Sequence, residues 1–291
     1  MKKLILFILC CFLSANAFAA GWQNAVDFRL AKHFTQYAAS IEKELSLNLT
    51  AGFKAKYTDE DAFKKPIFSV YVPLHLDYDQ LQLNITPFYY LKNKSHEDAY
   101  QDSSAFGIAT RLVLTLQDDT VSDMYTHAYV GASYAKQKGT LFTSDNPASN
   151  QDYQQFAYTL GLHQNFFRSF SFEMAGNLFQ YPDGIKNVTG FRGVMDQQDL
   201  AFTQSYDITH DLMKYAVSAR LTRLWTERQA SLYLGYRFGE FYATEDEHSF
   251  LVGNTFACTE AVKANLGYNH VRTVHNHNKR DILFVQLVAS F

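Results

Sequence analysis

The sequence predicts an all-β protein: a single closed antiparallel barrel of about 12–14 strands that crosses a membrane with those strands. Three observations carry the prediction. Apolar and polar residues alternate with period two, as on strands with two unlike faces. The alternating runs last about ten to fourteen residues, close to the ~9–11 that a tilted membrane strand needs and well beyond the ~5–6 of an average globular strand. The breaks alternate between tight turns and longer polar loops, which a barrel with two unlike rims requires.

Each observation rests on particular residues. Leu45, Leu47, Leu49, Ala51, Phe53, Ala55 and Tyr57 alternate with Ser46, Asn48, Thr50, Gly52, Lys54 and Lys56. Phe106, Ile108, Thr110, Leu112, Leu114 and Leu116 alternate with Gly107, Ala109, Arg111, Val113 and Thr115. Ala230, Leu232, Leu234, Tyr236 and Phe238 alternate with Ser231, Tyr233, Gly235, Arg237 and Gly239. Tight turns fall at Asp79-Gln80, 118–123, 167–169, 226–228 and Thr259-Glu260; longer loops fall at 58–65, 93–104, 138–152 and 273–279. The strands read from this pattern are 41–57, 66–78, 80–92, 105–117, 124–137, 153–165, 169–181, 185–195, 199–209, 213–225, 229–242, 247–258, 261–273 and 280–291. The 185–195 segment carries the pattern most weakly; without it the count falls to twelve.

The chain begins Met1-Lys2-Lys3, runs apolar from Leu4 to Leu13, and then reads Ala17-Phe18-Ala19-Ala20. A basic start, a short apolar stretch and small residues at alternate positions make residues 1–20 a secretory leader; the apolar run is too short for a spanning helix. Losing Lys2 and Lys3 with the leader takes the formal net charge from −3 to −5. That acidity argues against nucleic acid as a partner. Cys258 alone survives cleavage, which excludes an intramolecular disulfide and a thiolate metal site. Tyr (19) and Phe (25) are abundant and Pro (5) is scarce, a composition suited to long strands.

The chain ends with Leu283, Val285, Leu287, Ala289 and Phe291 on one alternating face and stops on the phenylalanine. A final amphipathic strand ending in Phe resembles the C-terminal signal of bacterial outer-membrane β-barrel proteins, the porin-like class, which the barrel-assembly machinery reads. With the leader and the long alternation, the resemblance covers nearly all of the mature chain, without pointing to a particular porin family. It implies the outer membrane of a Gram-negative bacterium, with membrane lipids, lipopolysaccharide and the assembly machinery as partners, and with Phe291 as the assembly signal. The domain reading is a leader (1–20), an N-terminal periplasmic segment (21–40) and the barrel (41–291). Val26, Leu30, Phe34 and Tyr37 have helical spacing, so 21–40 reads either as a short helix or as a further strand.

Charges facing lipid at mid-depth would cost ~2–4 kcal/mol each, so the polar partners of the apolar face belong inside. The lumen is thereby expected to receive Lys54, Lys56, Asp77, Lys92, Arg111, His127, His163, Glu173, Asp207, Arg220, Arg237, Lys263, Asn265 and Asn269, with Tyr71, Phe88, Tyr90, Tyr129, Phe179 and Tyr233. Lys54, Lys56, Arg111, Glu173, Arg220, Arg237 and Lys263 are the candidate pore-lining residues. Tyr57, Tyr78, Tyr89, Tyr134, Trp225, Tyr236 and Tyr268 are expected outside, as a girdle at the headgroups.

No catalytic or metal residue is assigned, and no cofactor. Barrel lipid hydrolases resemble one another in a His-x-Ser pair, which puts base and nucleophile on one face of a strand. This chain has only the adjacent His248-Ser249, whose side chains would point to opposite faces. His275-x-His277 with His270, and the acidic groups Asp59-Glu60-Asp61 and Glu245-Asp246-Glu247, read as solvated loops before metal sites. Three functions stay open: a porin-like channel for small hydrophilic solutes, with a wet lumen and unpaired charges; a non-conducting barrel with cross-paired charges or an inserted loop, 138–152, that binds a surface partner; and a lipid-modifying enzyme. A soluble periplasmic β-sandwich is the alternative fold.

Overall fold

The protein was analysed as a computed structural model, which describes residues 21–32, 34–60, 66–93, 103–119, 124–143, 149–166, 169–182, 188–194, 208–209, 212–225, 229–242, 246–274 and 279–290. Residues 1–20, Asp207, His275, His277 and Phe291 lie outside the described residues, as does the side chain of Lys92.

Seventeen strands form one sheet. They are β1 (Trp22–Ala31), β2 (Phe34–Ser46), β3 (Leu49–Glu60), β4 (Ile67–Tyr71), β5 (Leu74–Tyr78), β6 (Leu81–Asn93), β7 (Ser103–Asp119), β8 (Met124–Thr143), β9 (Ser149–Phe166), β10 (Phe170–Gln180), β11 (Val188–Val194), β12 (Ile208–Thr209), β13 (Met213–Trp225), β14 (Ala230–Phe241), β15 (Glu247–Ala257), β16 (Val262–Thr273) and β17 (Lys279–Ser290). All the pairings are antiparallel; apart from β4, β5, β11 and β12 each strand pairs with its neighbours along the wall, β10 passes directly to β13, and β1 pairs with both β2 and β17. The sheet therefore closes. With β4 and β5 forming one wall strand, the barrel has 14 strands. Pro73 separates β4 from β5, because its ring nitrogen cannot donate to the ladder. The wall stays continuous there: Gly52 N donates to Pro73 O (2.8 Å) and Val72 N to Pro87 O (3.0 Å).

Three sequence readings are corrected. The 21–40 segment takes the strand alternative and is neither the helix nor a separate periplasmic piece; it forms β1 and half of β2, and the β1–β17 ladder from Gln23–Ser290 to Leu30–Leu283 closes the barrel. Its helical spacing is incidental: Val26 and Leu30 face outward on β1, while Phe34 faces inward and Tyr37 outward on β2. The predicted 41–57 strand is a hairpin that turns between Ser46 and Leu49. Its alternation runs through the turn because a two-residue connection keeps the parity. Of the predicted 185–195 strand, the described residues form β11, which pairs with Thr140–Thr143 at the overhanging end of β8 and with β12 and is not a wall strand; the predicted 199–209 strand lies outside the described residues except for β12. The count of 14 is thus reached through β1 and β2 instead.

Ladder partners share a face, so one parity can be followed around the wall. Outward positions carry Leu160, Leu234 and Leu283, more than half exposed, together with Phe53, Phe106, Met174 and Phe250. A soluble monomer does not present so continuous an apolar surface to water; lipid covers it. Tyr57, Tyr78, Tyr89, Tyr134, Trp225, Tyr236 and Tyr268 lie on this face. The connections at 47–48, 79–80, 120–123 and 258–261 are short, and the residues at the ends of β1 and β17 (Gln23 and Ser290) sit at this rim. Asp79 takes φ 44°, the left-handed geometry that a two-residue hairpin favours. The opposite rim carries the long connections at 94–102 and 181–212.

Inside, aromatic rings lie along the wall over glycines on adjacent strands. A Cβ at Gly161 would stand 2.1 Å from the Tyr129 ring, at Gly253 2.2 Å from the Tyr233 hydroxyl, at Gly267 2.0 Å from Phe284 and at Gly107 2.7 Å from Phe88. Gly161→Ala is expected to destabilise the barrel by about 1–3 kcal/mol through overpacking. Adding Tyr129→Leu should return most of that loss, as read by urea unfolding of refolded protein in lipid vesicles.

Candidate functional site

The antiparallel register brings the lumen groups together. β9 sets His163 opposite both His127 of β8 and Glu173 of β10, and Glu173 stands opposite Arg220 of β13. Arg220 Nη2 donates to Glu173 Oε2 at 2.7 Å, and the Tyr129 hydroxyl donates to Glu173 Oε1 at 3.1 Å, reaching across β9 where Gly161 leaves room. The Arg111 guanidinium lies 5.0 Å from the Tyr129 ring centre, and that of Arg220 lies 5.8 Å from the Tyr233 ring. The Tyr233 hydroxyl donates to Asn265 Oδ1 at 2.7 Å, again passing over a glycine, Gly253. The result is a polar belt along the inner wall: Arg111, Tyr129, Glu173, Arg220, Tyr233, Asn265. Beside it, Thr115 and His127 share a hydrogen bond (3.0 Å), and the His163 ring stacks on Tyr125.

The belt follows the wall and does not cross the lumen. Glu173 and Arg220 are direct ladder partners, so their ion pair needs no reach into open space. The Arg220 side chain keeps 34% of its surface exposed and Glu173 16%. In a closed barrel, exposure at inward positions opens onto the lumen, so the belt is accessible from it.

The remaining candidates are dispersed. Lys54 and Lys56 face inward on β3, at 5.7 and 5.0 Å from the Tyr71 ring. Arg237 is buried nearer the long-loop rim and donates to Glu247 at 2.5 Å. Lys263 has inward parity but sits exposed at the short-turn end of β16, as Asp77 does at that end of β5. Toward the long-loop rim the inner wall is packed. Phe34, Ile67, Tyr71, Phe88, Tyr90, Ala105, Ala135, Val271 and Ile282 form one buried arc; Tyr153, Phe179, Tyr181, Leu212 and Met213 belong to a second. The Tyr71 and Tyr90 hydroxyls meet at 2.7 Å within the first.

Some polar partners escaped the sequence reading. Glu247, read as part of an acidic loop, opens β15 and pairs with Arg237 inside. Its parity with Ser249, two residues on, was the available signal. Gln36, whose amide donates to Thr58 at 2.9 Å, lies in the segment that had not been read as wall. The histidine readings also resolve. His248 and Ser249 fall on opposite faces, His248 outward with Tyr236 and Ser249 inward with Asn269. His270 also faces outward and pairs with Asp281 at 2.7 Å. Among the described residues no group of three His, Cys, Asp or Glu side chains could hold a metal ion.

A closed, lipid-faced, 14-stranded antiparallel barrel with a polar inner belt is the fold of bacterial outer-membrane β-barrel proteins. Among solved structures the chain is similar to the Pseudomonas putida toluene transporter TodX, with 10% identity over 96% of this chain and 92% of that one and a TM-score of 0.55. A second crystal structure of TodX matches with 10% identity, 94% and 90% coverage and a TM-score of 0.50. The NanC porin matches with 9% identity, 93% and 100% coverage and a TM-score of 0.45. No protein-family model matches the sequence, and no curated protein matches it significantly.

Glu173→Gln removes the charge that Arg220 pairs with and weakens the hydrogen bond from Tyr129. Because Arg220 is one-third exposed, the expected destabilisation is about 1 kcal/mol, below that of breaking a fully buried pair. The double variant Glu173→Gln/Arg220→Gln should cost less than the two single changes added together, as read by urea unfolding of the refolded barrel.

Proposed function

We propose that the protein is a porin-like channel in the outer membrane of a Gram-negative bacterium, passing small hydrophilic solutes passively. The observation that carries this reading is the belt accessible from the lumen. Its charges pair between neighbouring strands and its rings fold flat over glycines, so the groups that could plug the barrel lie against its wall instead. The belt offers Glu173 to cations and Arg111 and Arg220 to anions or hydroxyl-rich solutes, the means by which a pore lining biases passage. Such a charged lining suits hydrophilic solutes better than the hydrocarbon named for TodX. The packed arcs line the inner wall near the long-loop rim, where they would favour small solutes. The adjacent His248 and Ser249, which face opposite sides of the wall, support a channel over a lipid hydrolase.

Single-channel recording of the refolded barrel in a planar bilayer tests the proposal. Stepwise currents are expected. Glu173→Gln should shift the permeability ratio toward anions by about two- to threefold, and Arg111→Ala or Arg237→Ala should shift it toward cations. A verified folded barrel that never conducts would overturn the channel reading.

A further inference from the structure

Two histidines sit side by side in the inner wall. His127 of β8 and His163 of β9 are direct ladder partners on the lumen face, with ring centres 6.2 Å apart. Register places them in one row with the belt: Thr115, His127, His163, Glu173 and Arg220 follow one another across β7, β8, β9, β10 and β13. Both histidines are half-buried, so each keeps part of its surface toward the lumen. Thr115 hydrogen-bonds to His127 Nδ1, and Tyr125 stacks on the His163 ring at 5.6 Å between ring centres and 2° between planes. These contacts hold the two imidazoles against the wall and beside each other.

The charged groups around the pair balance. On β7, Asp118 stands opposite Tyr125 on the lumen face, and Arg111 lies over the Tyr129 ring. On β10, Glu173 stands opposite His163, and Arg220 of β13 pairs with it. Tyr125 and Tyr129 are the titratable hydroxyls on the same face of β8. Among the described residues of these strands, two guanidiniums and two carboxylates around the pair cancel formally, so the imidazoles decide the net charge of this stretch of wall. Histidine is the side chain that changes charge between about pH 5 and 8. Like charges directly opposite repel, so the protons arrive in two steps that belong to the pair and not to either ring. Each one adds a positive charge to a balanced wall, and the low-dielectric surround of a pore focuses that field into its bore.

We propose that His127 and His163 set the ion selectivity of the lumen. Neutral, they leave the belt balanced; protonated in mild acid, they turn it toward small anions such as chloride and carboxylates. The selectivity presupposes the channel, whereas the attraction of anions to the pair does not.

The first test is the reversal potential of the refolded barrel in a potassium chloride gradient, at about pH 7.5 and about pH 5.5. The chloride-to-potassium permeability ratio should rise about threefold on acidification, a comparison that needs no variant to fold. His127→Gln/His163→Gln should remove most of that rise. His75→Gln should keep most of it, because His75 lies on β5 with Glu42 at 3.8 Å to answer its charge. The second test reads the anion without a current: the chloride NMR line should broaden more at the lower pH with the barrel in neutral detergent, and the double variant should lose that gain. A permeability ratio that does not move with pH, a double variant that keeps the rise, or an equal loss with His75→Gln would each overturn the assignment. A folded barrel that never conducts would sink the channel alone. A chloride line that does not broaden on acidification, or that broadens equally in the double variant, would then overturn the role of the pair.

Discussion

A strand in lipid has no water to satisfy its edge, so each N–H and C=O at membrane depth must find a partner in the sheet. In this chain the requirement is met by β1, which pairs on one side with β2 and on the other with β17. Without it the wall would end in two open edges. Closure in turn fixes the two faces, because the side-chain period of two leaves each residue only an inward or an outward choice. Leu283 and Val285 go to lipid while Phe284, between them, lies inside over Gly267.

With the faces fixed, register decides the chemistry. Glu173 and Arg220 meet because they are ladder partners, and Tyr129 reaches Glu173 because the intervening position on β9 is Gly161. Had that position carried a side chain, the ring would have been driven into the lumen. The same arrangement joins Tyr233 to Asn265 across Gly253. Small residues therefore do two jobs: they let aromatic groups bridge strands, and they let the rings lie against the wall at the belt.

Much of this was legible in the sequence, for a simple reason. Parity survives errors in strand boundaries, so Arg111, Glu173, Arg220 and Arg237 could be assigned inward before their partners were known. Boundaries were less legible. The turn at Leu47-Asn48 preserves the alternation and hides itself, and Val26, Leu30, Phe34 and Tyr37 happen to satisfy a helical spacing as well as a strand. The described residues of the 185–195 segment alternate without having a place in the wall, because alternation reports two unlike faces and not which neighbour a strand will find. Partners were least legible. That Glu247 reaches Arg237, or that His127 faces His163, depends on register between strands, which no single strand encodes.

Closure by the first strand is the claim on which the rest stands, and a cross-link measures it directly. Val26 and Leu287 are outward ladder partners on β1 and β17. In a Cys258→Ser background, cysteines at both positions should form a disulfide on mild oxidation of the folded barrel, whereas cysteines at Val26 and Leu283 should not. Absence of the first cross-link, or equal formation of the second, would show that β1 does not seal the wall in this register and would contradict the account.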